Sequence, residues 1–187
     1  HRIGQCWHDS HNTYQACGSW GSVATAAVAA YLMGLPQEKI SQALGIAEYN
    51  APNLPMMRDV DCPTMAKHGM GWGGMTGVIA AELAARGFTA PPSILTSEPY
   101  DKWVSDILDR YVMEKGVIFK EFACCGWAQP PLHAVRKVLL RHSVSPADIE
   151  RIRVFGFDET VRLGAEQPAT TEEAQFNLAW PIAVMLV

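Results

Sequence analysis

The chain has 187 residues, a length that fits one domain or parts of two. Hydrophobic residues make up 49% and charged residues 18%, which is typical of a folded globular protein and excludes a disordered chain. The net charge is −4 and no cluster of Lys and Arg is present, so we expect no nucleic-acid partner and no lipid surface. An anionic substrate would therefore need a local cationic pocket.

The apolar segments do not predict membrane insertion. The longest of them, residues 23–35, is too short to span a bilayer, and its many alanines favour a buried helix. The sequence also lacks the basic leader of a signal peptide, so we expect a cytoplasmic protein. The chain begins with His1 and ends in the apolar residues 181–187. Natural termini are seldom so apolar, and we therefore expect the central part of a longer protein.

The five cysteines indicate reduced thiols. They are Cys6, Cys17, Cys62, Cys124 and Cys125, an odd number with one adjacent pair. Structural zinc sites usually show paired spacings of Cys or His, and this sequence has none. We therefore expect thiols of a cytosolic protein and no metal, with a zinc-binding module as a distant alternative.

The first third of the chain predicts helices separated by polar segments. Residues 1–17 are polar and predict an irregular segment. The Ala-rich residues 20–33 predict a helix that stops at Gly34. Residues 36–47 predict a second helix, which a proline opens and whose apolar positions recur at helical spacing. Three prolines in residues 49–66 predict a loop.

Two further helices are predicted before Gly116. Residues 77–86 form another Ala-rich run, which Gly87 ends, and small side chains let such helices pack closely. A proline-containing connection, residues 91–99, leads to residues 103–111, whose apolar positions fall on one helical face. Gly116 then breaks that helix.

The remainder of the chain adds candidate strands. The β-branched and aromatic residues 117–122 predict one strand, and the alternating residues 151–155 predict another. Residues 131–141 predict a helix between them, and Ser145 is expected to cap a short helical turn. Residues 172–187 are apolar and fit either a helix or a strand.

The change of character near Gly116 predicts the domain organisation. Residues 1–115 are expected to be part of a helical domain, and residues 116–187 part of an α+β domain. The predicted fold class is therefore mainly α with an α+β part.

Two histidines near the start of the chain are candidate acid–base groups. His8 and His11 precede an Ala-rich helix, and an imidazole titrates near neutral pH, so either ring can move a proton. The alternative is a surface loop of ordinary polar residues, which composition alone favours. No nucleophile elbow, phosphate loop, dinucleotide motif or zinc-protease motif accompanies them.

A glycine-rich segment follows Lys67 and His68. Four of the six residues 69–74 are glycines and lead into a helix, which would place an ammonium group and backbone N–H groups around a carboxylate. The alternative is that the glycines only allow close helix packing. The sequence favours neither interpretation over the other.

Lys120 is a third candidate, within the predicted strand of residues 117–122. It would share one strand face with Ile118 and Phe122. A lysine on an apolar face usually extends to the edge of that face. The alternative is that its ammonium group points into a site.

These candidates lie in segments that follow one another in a characteristic order. The segments are Trp7-His8-x-Ser10, Gly18-Ser19-Trp20-Gly21, Ala43-Leu44-Gly45-Ile46-Ala47, Lys67 with residues 77–89, Lys120-x-Phe122-x-Cys124-Cys125, and Ala174-Gln175-Phe176-Asn177-Leu178. Together they resemble the MmgE/PrpD family, which includes 2-methylcitrate dehydratase, cis-aconitate decarboxylase and iminodisuccinate epimerase.

The resemblance implies a helical domain with an inserted α+β lid, so that residues 116–187 would be part of the lid. It implies a cofactor-independent lyase, a dehydratase or decarboxylase, that acts on a small di- or tricarboxylate such as 2-methylcitrate. It further implies a homodimer that needs no metal. An epimerase or racemase of an amino or imino diacid on the same fold is one alternative, and a non-catalytic relative is another.

The resemblance also assigns roles to individual residues. Catalysis is expected from His8, Lys67 and Lys120, and substrate binding from His11, His68 and Gln129. The chain departs from the family pattern at two of these positions. The spacing from His8 to Gly18 is longer than usual, so His11 is an alternative to His8 as the functional histidine. Gln129 stands where many members have a histidine.

Overall fold

A computed structural model describes all 187 residues, and the protein is mainly helical, as predicted. The α-helices, numbered in chain order, are α1 (Arg2–Ser10), α2 (Cys17–Leu32), α3 (Gln37–Tyr49), α4 (Met56–Asp61), α5 (Met70–Ala85), α6 (Met113–Gly116), α7 (Gln129–Arg141), α8 (Asp158–Val161), α9 (Thr171–Gln175) and α10 (Ala179–Leu186). Short 3₁₀ turns occur at Lys67–Gly69, Ile94–Thr96, Asp101–Trp103, Gly126–Ala128 and Pro146–Asp148. No helix is both long enough and apolar enough to cross a bilayer.

The chain forms two compact units. The first contains His1–Met56 and Ala66–Val117, and the second contains Met57–Met65 and Ile118–Val187. Strand pairing in the whole chain is limited to two isolated bridges, Gln15 with Pro55 and Gly164 with Asn177.

The first unit is built on three of the predicted helices, α2, α3 and α5, which pack against one another. Their buried faces are small and apolar, and the most buried members are Val23, Ala26, Ala30, Ala43, Ala47, Ala80, Ala81 and Ala84. Gly34 and Gly87 follow α2 and α5 with left-handed φ values of 66° and 91°, so both predicted helix stops are confirmed.

Close approach of α2 and α5 requires glycine at specific positions. A Cβ atom on Gly73 would lie less than 3.0 Å from the carbonyl oxygen of Gly18, and one on Gly77 equally close to that of Ser22. The two contacts, Gly18 with Gly73 and Ser22 with Gly77, are four residues apart on each helix and follow in the same order along both. The helices α2 and α5 therefore run in the same direction. The prediction that Ala- and Gly-rich helices pack closely is therefore confirmed.

The prediction of an irregular segment at residues 1–17 is wrong, because α1 occupies Arg2–Ser10. Its apolar residues Ile3, Cys6 and Trp7 lie three and four positions apart, so they share one face and belong to the core. The high proportion of polar residues on the other face concealed this short periodic pattern. The predicted loop at residues 49–66 likewise contains a short helix, α4.

The predicted helix at residues 103–111 does not form. Only a 3₁₀ turn at Asp101–Trp103 and further turns are present. The guanidinium group of the buried Arg2 donates hydrogen bonds to the backbone oxygens of Trp103, Asp106 and Arg110 and to the Asp106 carboxylate. Because an α-helix would need the Trp103 oxygen for its own ladder, this contact competes with regular helix formation.

In the second unit, α7 forms as predicted, and Ser145 caps the 3₁₀ turn Pro146–Asp148 in a capping box. Most of residues 172–187 are helical, in α9 and α10, and Phe176–Leu178 connect the two helices. The buried apolar side chains of this unit include Leu132, Leu163, Phe176 and Ile182.

Neither predicted strand, residues 117–122 or residues 151–155, is present, so the α+β part of the prediction has no counterpart in this structure. A strand is stable when a neighbouring strand pairs with its backbone N–H and C=O groups. No such neighbour is present, and Ile118, Phe119 and Phe155 are 83%, 95% and 90% exposed. Side-chain composition indicated strand propensity but not the pairing that a strand requires.

Candidate functional site

The two candidate histidines lie at the C-terminal end of α1, and hydrogen bonds define their tautomers. Nε2 of His8 lies 3.2 Å from the backbone oxygen of Gln15. A carbonyl oxygen can only accept, so Nε2 must carry the proton, and Nδ1 carries the lone pair of the neutral ring. The ring contacts the Tyr14 ring, with 4.5 Å between centroids.

His11 has the opposite tautomer. Its Nδ1 lies 3.0 Å from the backbone oxygen of Trp7 and 3.0 Å from the Ser10 hydroxyl. The Trp7 oxygen can only accept, and the Ser10 hydroxyl donates to that same oxygen at 3.2 Å, so Nδ1 carries the proton and Nε2 the lone pair. The imidazole stacks on the Trp7 indole, with 4.6 Å between centroids and 20° between planes. Trp7 in turn donates its Nε1–H to the hydroxyl of Ser19 at 3.0 Å. His11 is therefore oriented by both α1 and the first turn of α2.

A cavity of about 570 Å³ within the first unit contains His11 in its wall. The lining includes polar groups from α1, α2, α3 and the loops that follow them: Ser10, Gln15, Ser19, Glu48, Asn53 and Tyr100. His8 and Lys67 do not line it, and no Lys or Arg does. The cavity therefore brings together one candidate base, the Glu48 carboxylate and several neutral hydrogen-bonding groups.

Gln15 and Glu48 stabilise the walls of this cavity. The buried amide of Gln15 donates to Asn53 Oδ1 at 3.1 Å and accepts from the Leu54 N–H at 2.7 Å. The Glu48 carboxylate accepts from the Ser93 hydroxyl at 2.5 Å and from the backbone N–H of Ile94 at 3.0 Å. Sequence reasoning missed both residues, because their partners are 38 to 46 residues away along the chain.

Cys6, on the same helix as the histidines, is unsuited to nucleophilic chemistry. The thiol is buried, and burial, together with the nearby carboxylates of Glu48 and Asp9, raises its pKa to about 11. Since the thiolate is the reactive form, Cys6 stays protonated and inert near neutral pH. This leaves the histidines as the candidate reactive groups of α1.

Lys67 and His68 lie on a turn with unusual backbone geometry. Lys67, His68 and Gly69 have φ values of 35°, 58° and 60°, three successive left-handed residues. Non-glycine residues adopt this region rarely and at an energetic cost. Both side chains are half-buried, and the turn leads directly into α5. The strained conformation is notable because such residues cluster at functional sites.

The packing interpretation of the glycine-rich segment applies to two of its four glycines. Gly69 and Gly73 are needed for packing, since a Cβ atom on either would lie less than 3.0 Å from Leu54 or from the backbone of Gly18. Gly71 and Gly74 have open space beside them. The packing glycines thus hold the turn against the first turn of α2, while the others leave the surface of α5 uncovered.

Lys120 and Gln129 lie in the second unit, around the segment from Phe122 to Cys124. Lys120 is exposed, and its ammonium group donates to the Cys124 backbone oxygen at 3.2 Å. The buried amide of Gln129 bonds both backbone groups of Phe122 and donates to Cys124 Sγ at 3.2 Å. Gln129 therefore shapes the segment that presents Lys120.

The predicted site residues thus form three groups: the two histidines at the end of α1, Lys67 with His68 on the left-handed turn, and Lys120 with Gln129 in the second unit. No group of three or more His, Cys, Asp and Glu residues is arranged to hold a metal ion.

Comparison with known proteins gives matches to two family models. Residues 1–103 match the MmgE/PrpD N-terminal domain, and residues 122–187 match the MmgE/PrpD C-terminal domain. A search of curated proteins gave no match.

Proposed function

The chain belongs to the MmgE/PrpD family, and from this premise we propose that it is a cofactor-independent lyase. The proposed substrate is a small di- or tricarboxylate, such as 2-methylcitrate or a relative. In a dehydration a base removes the proton from the carbon next to a carboxylate and the hydroxyl on the adjacent carbon leaves as water. In a decarboxylation carbon dioxide leaves instead, and the electron pair that it leaves behind takes up a proton.

The observation that carries this proposal is the geometry of His11. The backbone oxygen of Trp7 holds the proton on Nδ1, so Nε2 of the neutral ring keeps a lone pair, as a general base requires. Stacking on Trp7 restrains the ring, and the ring lines a cavity of about 570 Å³. His8 does not line that cavity, which favours His11 among the two candidate histidines.

In the proposed reaction His11 accepts the α-proton through Nε2. The electron pair left on carbon moves into the neighbouring carboxylate, and the ammonium group of Lys67, which lies outside the lining of the cavity, is proposed to stabilise the charge that develops there. In a dehydration, the hydroxyl on the adjacent carbon then leaves as water after it gains a proton. His68 is proposed to help bind the substrate. The substrate-binding role of Gln129 and the catalytic role of Lys120, both in the second unit, stay predictions.

Turnover by the purified full-length protein tests this function. Proton NMR in heavy water follows 2-methylcitrate, citrate, cis-aconitate and related diacids. Loss of water or carbon dioxide is the expected result. Deuterium uptake at an α-carbon without net loss would indicate an epimerase instead. A folded protein that changes none of these compounds would contradict the proposed chemistry.

Substitution of Lys67 tests its role once a substrate is known. Lys67→Ala is expected to lower kcat/KM by about 10²-fold or more, the typical cost of removing one group that stabilises developing charge. Lys137→Ala, which removes an exposed lysine from α7, is the matched control and is expected to be fully active. An active, folded Lys67→Ala protein would refute the assignment.

We also propose that the protein acts as a homodimer in the cytoplasm. Large apolar side chains are exposed on α2 and α5, with Tyr31, Leu32 and Trp72 75%, 77% and 68% accessible, and such side chains are frequent at interfaces. Light scattering coupled to size exclusion is expected to give twice the subunit mass, and a monomer would contradict the proposal.

A further inference from the structure

Two of the proposed reactive groups rest on the same turn of one helix. Gly18 and Ser19 are neighbours in the first turn of α2. One contacts the turn that carries Lys67, and the other contacts the side chain that orients His11. Each contact is specific enough to be tested separately.

Gly18 contacts the Lys67 turn through backbone atoms alone. A Cβ atom at position 18 would lie less than 3.0 Å from the backbone oxygens of both Gly69 and His68. Backbone atoms cannot move aside as a flexible side chain can, so any larger residue must displace the turn. Leu54 contacts the other side of Gly69, and this restricts the directions in which the turn can shift.

Ser19 contacts the histidine segment through one hydrogen bond. Its side chain is almost completely buried and accepts the indole N–H of Trp7 at 3.0 Å. A buried indole without an acceptor pays the cost of lost solvation, so loss of the hydroxyl allows Trp7 to move. His11 stacks on that indole and bonds the Trp7 backbone oxygen, and it would move as well.

We propose that Gly18 and Ser19 are positioning residues that together fix the separation between the His11 imidazole and the Lys67 turn. This inference rests on the proposed function, in which His11 and Lys67 carry the reaction. The first turn of α2 contacts both segments. It therefore keeps the His11 imidazole and the Lys67 ammonium group at a constant distance and orientation relative to the substrate. An error of about 1 Å in such a geometry can cost about 10²-fold in rate.

The test compares four variants of the full-length protein. Gly18→Ala and Ser19→Ala disturb the support. Gly77→Ala creates a similar backbone clash between α2 and α5 further along both helices, and Gly74→Ala adds a methyl group in open space. Measured quantities are kcat, KM, the free energy of unfolding, and the NMR resonances of the His11 and His68 rings and of the Lys67 amide in the free protein.

Gly18→Ala is expected to shift the His68 and Lys67 resonances, and Ser19→Ala the His11 resonances. Each is expected to lower kcat by at least about tenfold with a smaller change in KM. Gly77→Ala is expected to lower stability while leaving kcat and these resonances near wild type. Gly74→Ala is expected to leave all of them unchanged.

Two outcomes would overturn the inference. One is wild-type kcat in Gly18→Ala and Ser19→Ala while Lys67→Ala and His11→Asn are inactive. The other is unchanged resonances in both support variants, which would refute the positioning role whatever the protein catalyses. If Gly18→Ala does not fold, Ser19→Ala decides the question, because it only removes an oxygen atom. Activity retained by both Lys67→Ala and His11→Asn would instead refute the proposed function.

Discussion

The packing of α2 against α5 makes a quantitative prediction for Gly77→Ala. The added methyl carbon would lie 2.5 Å from Thr25 Cβ and 2.8 Å from the Ala26 nitrogen, and closer still to the Ser22 oxygen. Ordinary contacts of this kind are 3.4–4 Å long, so the two helices must separate locally by about 1 Å. Overpacking of this kind costs about 1–3 kcal/mol.

The stability of the Gly74→Ala variant is the reference against which the cost of Gly77→Ala is measured. Both substitutions gain about 0.5–1 kcal/mol, because alanine loses less backbone entropy than glycine in a helix. Gly74 has no neighbour within 4 Å of the added carbon, so only Gly77→Ala clashes. The backbone gain cancels in the difference, and Gly77→Ala should be less stable than Gly74→Ala by about 1–3 kcal/mol.

Urea unfolding followed by circular dichroism measures this difference. A lower midpoint for Gly77→Ala at an unchanged slope would show a change in stability alone. Equal midpoints for the two variants would refute the close approach of α2 and α5.

Two further predictions follow from the ionisable groups. The hydrogen bond from Arg2 holds the pKa of the Asp106 carboxyl below its usual value of 3.8. Its contribution to stability is therefore complete well above pH 3.8 and is lost as the pH falls through the lower, folded-state pKa. The stability advantage of wild type over Asp106→Asn should shrink in that range, as thermal unfolding across pH would show, and a constant advantage would contradict the assignment. Brief alkylation with iodoacetamide near neutral pH, read by mass spectrometry, should modify the exposed Cys62 and spare the buried Cys6. Modification of both thiols at equal rates would contradict the burial of Cys6.

The parts of the fold that were predictable are those fixed by local sequence. The helices α2, α3, α5 and α7 follow from alanine content, helical spacing and glycine stops, all of which act within a few residues. Residues 103–111 have the same local pattern, yet Arg2 takes their backbone oxygens from a position about one hundred residues earlier in the chain. A rule that considers only neighbouring residues in the sequence cannot predict that contact.

Some residues of the candidate site could likewise be suggested from the sequence, and others could not. Histidine and lysine stand out in any sequence, so residue type alone suggested His11 and Lys67 as candidates. Gln15, Ser19 and Glu48 did not stand out, because their importance depends on partners that are distant along the chain. The proposal of His11 rather than His8 as the base likewise rests on coordinates, because only the His11 ring lines the cavity.

The measurement that tests the central claim most directly is deuterium exchange at the α-carbon of a carboxylate substrate in heavy water. It compares the full-length wild type with His11→Asn and with His142→Asn, a matched control that changes an exposed histidine at the end of α7. Wild type and His142→Asn should incorporate deuterium or release product, and His11→Asn should be slower by about 10²–10⁴-fold, the usual contribution of a general base. Exchange by His11→Asn at the wild-type rate, or no exchange by the folded wild type with any substrate, would contradict the account.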